Sequence, residues 1–203
     1  MRTWFLRSAL RVPKSALPTW GRAPINVMFN SLASTGFRWI GGAPCFRIWA
    51  KARCEKRWRV VDVYATSRRD VDSPWPSPMW PGVCITWSAE VIAVGWDFAE
   101  SVYRRQRQVP ASRESPVAVE AGRLRGPHRP PPHACEVLAH ECGHTWQAAR
   151  LGLYYWPVGA TFTLFREGPH FWNRFENEAS AQGLFGGLVP GSASAELLRR
   201  VAP

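Results

Sequence analysis

The sequence predicts an α+β fold, a small twisted sheet packed on two helices. Three observations carry this. Residues Arg57 to Thr66 have strand character, two further β-rich runs lie between Val83 and Trp96, and helix patterns appear only after residue 134. The 203 residues suit a single compact core, and 46% hydrophobic against 20% charged residues exclude a disordered chain. We divide the chain into a basic N-terminal segment, 1–55, without a clean period, and a body, 56–203.

The N-terminal segment holds no Asp or Glu before Glu55, but carries Arg2, Arg7, Arg11, Lys14, Arg22, Arg38, Arg47, Lys51 and Arg53. Within a net charge of +11 this favours acidic partners, an anionic membrane surface or nucleic acid. The opening Met1-Arg-Thr-Trp-Phe-Leu-Arg7 is a poor secretory signal, because Arg7 and Arg11 interrupt its apolar run. Pro24 to Gly42 comes closest to a membrane span and is weakened by Arg38. Five cysteines, an odd number without CxxC spacing, argue against a disulfide framework and a thiolate zinc site. The expectation is a cytoplasmic protein, peripheral to a membrane at most.

In the body, Trp58, Val60, Asp62 and Tyr64 alternate with Arg59, Val61, Val63 and Ala65, as a strand requires. The prolines of Ser73 to Gly82 dictate a loop, followed by strands at Val83 to Trp87 and Val91 to Trp96. A Pro/Arg-rich connection occupies 106–133. A helix is expected from about Ala134 to Arg150, stopped by Gly152. A second follows Gly168-Pro169 and ends near Gln182, and Ser194 caps a short helix in the tail.

The chemistry lies in His140-Glu141-Cys142-Gly143-His144 on the first of these helices. Residues four apart share a helix face, so His140 and His144 can present two imidazoles to one metal ion. Glu141 sits about 100° around the helix from His140, beside the metal rather than on it, where it can take a proton from activated water. Zinc suits two imidazoles, one carboxylate and an open position, which is the HExxH arrangement of zinc metallopeptidases. The third ligand must come from elsewhere. Glu176 and Glu178 point about 200° apart on the second helix, so they cannot both serve. Glu178 has a partner in Arg174 one turn earlier, and Glu176, which shares its face with Trp172, Ala179 and Ser180, is the favoured ligand.

His140-Glu141-Cys142-Gly143-His144 followed by Glu176-x-x-Ala179 resembles the gluzincin metallopeptidases. The ImmA/IrrE-type and HtpX-type proteases carry variants of the second motif. The run from Leu138 to Gln147 also resembles bacterial HExxH domains with Gln three positions after the motif. The resemblance covers about residues 134 to 190. It implies a minimal zincin-like domain, zinc held by His140, His144 and Glu176, Glu141 as general base, and a peptide or protein substrate. Ser180 stands where many relatives have Asp or Asn, which implies a weaker brace on a ligand histidine.

Other candidates are His170, Tyr154 and Tyr155 as donors to a transition-state oxyanion. Cys142 reads as a small buried residue, and His128 and His133 as solvated loop residues. Two function classes therefore stand: a zinc hydrolase pairing an extended peptide with a strand between Val83 and Trp96, and a non-catalytic zinc protein binding nucleic acid or anionic membrane through residues 1–55. An intact Glu141 favours the first, since a structural site needs no general base.

Overall fold

The computed structural model describes residues 28, 30–32, 34–36, 42–66, 84–107, 119–120, 134–162 and 174–202. The chain is α+β. In order, it forms β1 (Phe46–Ala52), β2 (Arg59–Thr66), β3 (Ile85–Ser88), β4 (Val91–Gly95) and helix α1 (Trp96–Arg107). There follow β5 (Val119–Glu120), α2 (Ala134–Leu151), a short 3-10 turn (Gly152–Tyr154), α3 (Tyr155–Thr161), α4 (Arg174–Gln182), β6 (Gly183–Leu188) and α5 (Ala195–Val201).

The six strands form one mixed sheet in the order β3-β4-β2-β1-β6-β5. Only β2 and β4 run parallel. Alternation decides the faces. Phe46, Ile48, Ala50 and Ala52 of β1 are buried while Arg47 is exposed. Val61 and Val63 of β2, Ile92 and Val94 of β4 and Phe185 of β6 join them, and Leu138, Ala139 and Cys142 of α2 complete the core. Helix α2 is thus the central element, laid across one face of the sheet. Its C-terminal end is stopped by Gly152, whose φ of 54° few other residues adopt. A second, smaller cluster joins Ala148, Tyr155 and Phe175 beyond the end of the main core.

Several boundaries differ from the sequence reading. β1 comes from the stretch 1–55 yet lies inside the sheet, bonded to β2 on one side and β6 on the other. The sheet therefore begins ahead of residue 56. Helical residues near Asn30 also clasp the fold, with Asn30 donating to the Ala148 carbonyl and accepting from the Ala89 amide, both at 3.3 Å. Trp96 opens a helix rather than closing a strand, with Asp97 in its first turn and Arg104, Arg105 and Arg107 in its last, as a helix dipole favours. The tail helix is capped as expected: Ser194 Oγ accepts from the Leu197 amide at 3.2 Å. The Ser73 to Gly82 loop, most of 106–133, His128, His133, His170 and Trp172 lie outside the described residues. No helix among the described residues is long and apolar enough to cross a membrane.

Candidate metal centre

The site is built where α2 meets α4, and two glycines let them meet. A methyl at Gly143 would lie 2.6 and 2.7 Å from the carbonyl carbon and Cα of Ala179. One at Gly183, at the start of β6, would lie 2.7 Å from the Gly143 amide nitrogen. Backbone touches backbone at both points. This close approach sets Glu176, one turn before Ala179, against the histidine face of α2.

His140, His144 and Glu176 converge there. The Nε2 atoms of both histidines lie 3.0 Å from Glu176 Oε2 and 3.0 Å from each other. All three side chains are nearly buried, at 10%, 7% and 12% exposure, so water replaces little of what they offer one another. Among the described residues they are the group that could hold a metal ion.

The far nitrogens are braced. His140 Nδ1 is 2.8 Å from Ser180 Oγ, so a serine fills the place where the family resemblance led us to expect weaker support. His144 Nδ1 is 2.8 Å from Gln147 Oε1, and the orientation of that amide is fixed. Its Nε2 donates to the Phe175 carbonyl at 2.9 Å and to Glu178 Oε2 at 3.0 Å, both pure acceptors. Gln147 therefore presents its oxygen to His144, Nδ1 carries the proton, and Nε2 faces Glu176. Glu178 lies outside the triad. It pairs with Arg150 through both oxygens at 3.3 Å and with Gln147. The expected Arg174 partnership is thus replaced by contacts across to α2, because α4 turns Glu178 toward that helix.

Electrostatics make the centre hungry for a cation. Burial pushes the pKa of His144 down, but the hydrogen bond and charge of Glu176, aided by Glu141 and Gln147, outweigh it and raise it to about 9. A group raised above its unfolded value of about 6.5 stabilises the fold fully below that pH, and the contribution is lost as pH climbs toward 9. The metal-free protein is accordingly expected to show a falling Tm from pH 6.5 to 9, read by thermal unfolding in chelator. A flat or rising Tm over that range refutes the assignment.

Glu141 is buried beside the triad, and Thr86 of β3 donates to its Oε2 at 2.7 Å. Tyr155 is buried, with its ring 6.4 Å from that of His144, whereas Tyr154 is 56% exposed. Burial, then the charges of Glu141 and Glu176, hold the Tyr155 hydroxyl well above its usual range, so it remains a proton donor at neutral pH. Cys142 is fully buried in the core and its thiol is pushed far up by burial, which excludes it as a nucleophile. At the rim, Trp156 of α3 stacks edge-on against Trp87, and its Nε1 donates to the Trp87 carbonyl at 3.2 Å.

Sequence reasoning missed Thr86 and gave Gln147 no role. Gln147 had a signal, since it follows His144 by three residues on one helix. Thr86 had none.

No protein-family model, curated protein or solved structure matches this chain.

Proposed function

We propose that the chain is a zinc-dependent hydrolase, a peptidase with a gluzincin-like site in a minimal zincin-like domain. One observation carries the reading: two imidazole Nε2 atoms and a carboxylate oxygen meet in a triangle with 3.0 Å sides. Ligand atoms about 2.0–2.1 Å from a tetrahedral zinc lie about 3.3–3.4 Å apart, so the donor set fits within a few tenths of an ångström. The braced Nδ1 atoms and the acidic neighbours fit the same ion. Bound there by His140, His144 and Glu176, zinc supplies a Lewis acid and lowers the pKa of water toward neutrality.

The chain's own residues supply the rest. Glu141 accepts the proton released as water attacks and passes it to the leaving amine. Tyr155, buried and protonated with its ring beside that of His144, is suited to donate to the developing oxyanion. Among the described residues β3 is an edge strand packed near α2, which suits pairing with an extended peptide. A side chain such as Glu141, buried but outside the triad, favours this enzyme over a non-catalytic zinc protein using its basic segment.

The test is metal content together with turnover. The purified protein is expected to hold one equivalent of zinc and to cleave members of a peptide library, with cleavage abolished by chelator. Glu176→Gln should cost far more zinc affinity than Glu178→Gln. The opposite ranking would transfer the ligand role to Glu178, and His140→Ala retaining a full equivalent would sink the site.

A further inference from the structure

We propose that Thr86 is the positioning residue of the general base, an inference that rests on the hydrolase reading above. The side chains of β3 alternate, with Ile85 and Trp87 exposed and Thr86 and Ser88 buried, so the hydroxyl of Thr86 is turned inward onto α2. Thr86 Oγ1 lies 2.7 Å from Glu141 Oε2 and 3.0 Å from the Glu141 backbone oxygen. Both are acceptors, so the single hydroxyl proton is donated toward Glu141, and its shorter path leads to the carboxylate.

This divides the carboxylate in two. Among the described residues the hydrogen bond to the Glu141 carboxylate ends on Oε2, which leaves Oε1 as the oxygen that takes the proton. A glutamate side chain has three rotatable bonds and, on a helix face beside the triad, nothing in its own backbone fixes where it points. Threonine is the reverse: β-branching restricts its single rotor, and its backbone is paired with Ile92, just before the register of β3 shifts. The strand thereby lends its rigidity to the base. General-base catalysis requires this, since a base within hydrogen-bond reach but wrongly aimed loses most of its effect.

Thr86→Val keeps the shape and removes the donor. In the zinc-loaded protein it is expected to lower kcat about tenfold or more with KM and zinc content unchanged, and Thr86→Ser, which keeps the donor, to recover most of that loss. In a Glu141→Gln background Thr86→Val should change residual turnover less than about twofold. A second readout needs no activity: in metal-free protein the Tm lost on Thr86→Val should be clearly smaller in a Glu141→Ala background, where only the bond to the backbone oxygen remains. Wild-type kcat in Thr86→Val, or failure of Thr86→Ser to recover it, overturns the proposal. Failure of the hydrolase reading is seen separately, as a zinc-loaded wild type without turnover. The Tm cycle still decides the anchor then, coupled shifts supporting it and additive ones overturning it.

Discussion

Glu141→Gln is expected to fold, keep its zinc and lose hydrolysis by about a hundredfold or more. The carboxylate is not one of the three converging atoms, which belong to His140, His144 and Glu176. Its removal therefore leaves the donor set whole. Glutamine keeps the size of the side chain and can still accept from Thr86 through its amide oxygen, so the packing against β3 survives. What disappears is the carboxylate beside the triad that takes up the proton and returns it. Metal analysis and turnover of the same preparation read the outcome. Near-normal turnover refutes the mechanism, while loss of zinc shows that Glu141 ligates after all.

Gly143→Ala is expected to have a large structural effect for a single added methyl. The new carbon would collide with main-chain atoms of Ala179, which cannot swing aside as a side-chain tip can. Overpacking costs about 1–3 kcal/mol even where side chains can yield, and the better helix propensity of alanine returns only about 1 kcal/mol. With backbone unable to yield, the upper end of that range applies, and a net loss of about 2 kcal/mol corresponds to a Tm lower by about 4–8 °C. The same displacement carries Glu176 away from the histidines, so zinc affinity should fall although no ligand has changed. Gly36→Ala is the control: helical, with nothing within 4 Å of the added carbon, it should be neutral or slightly stabilising. Equal Tm values for the two variants would show that α2 and α4 can separate without harm.

The parts of the site legible in the sequence are those written by helical periodicity. His140 and His144 share a face because they are four apart, and Glu141 stands beside it for the same reason. Glu176 was favoured over Glu178 as ligand, and it is Glu176 that the fold brings to the histidines, while Glu178 turns to Arg150. Thr86 was beyond reach: it is separated from Glu141 by 55 positions, and only the packing of an edge strand on α2 brings them together. β6 was hidden for a different reason. Its Gly183-Leu-Phe-Gly-Gly-Leu188 reads poorly as a strand, since glycine weakens strands. Yet Gly183 and Gly186 are demanded by neighbours, the backbone of α2 on one side and the Trp58 ring with the Trp49 Cβ on the other. β1 was missed altogether: Phe46, Ile48, Ala50 and Ala52 alternate, but within a stretch of Trp, Arg, Gly and Pro in which no period was read.

The indole of Trp156 on the Trp87 carbonyl bears on how this protein behaves among copies of itself. A strand at the rim of a sheet offers its peptide groups to any extended chain, and β3 also exposes Ile85 and Trp87. Such an edge is therefore also a seed for self-association. By occupying the Trp87 carbonyl with a bulky, half-exposed ring, Trp156 engages one peptide group of β3. A ladder broken at one rung no longer templates a continuous intermolecular sheet. The same tryptophan thus favours colloidal stability in a chain that holds twelve tryptophans.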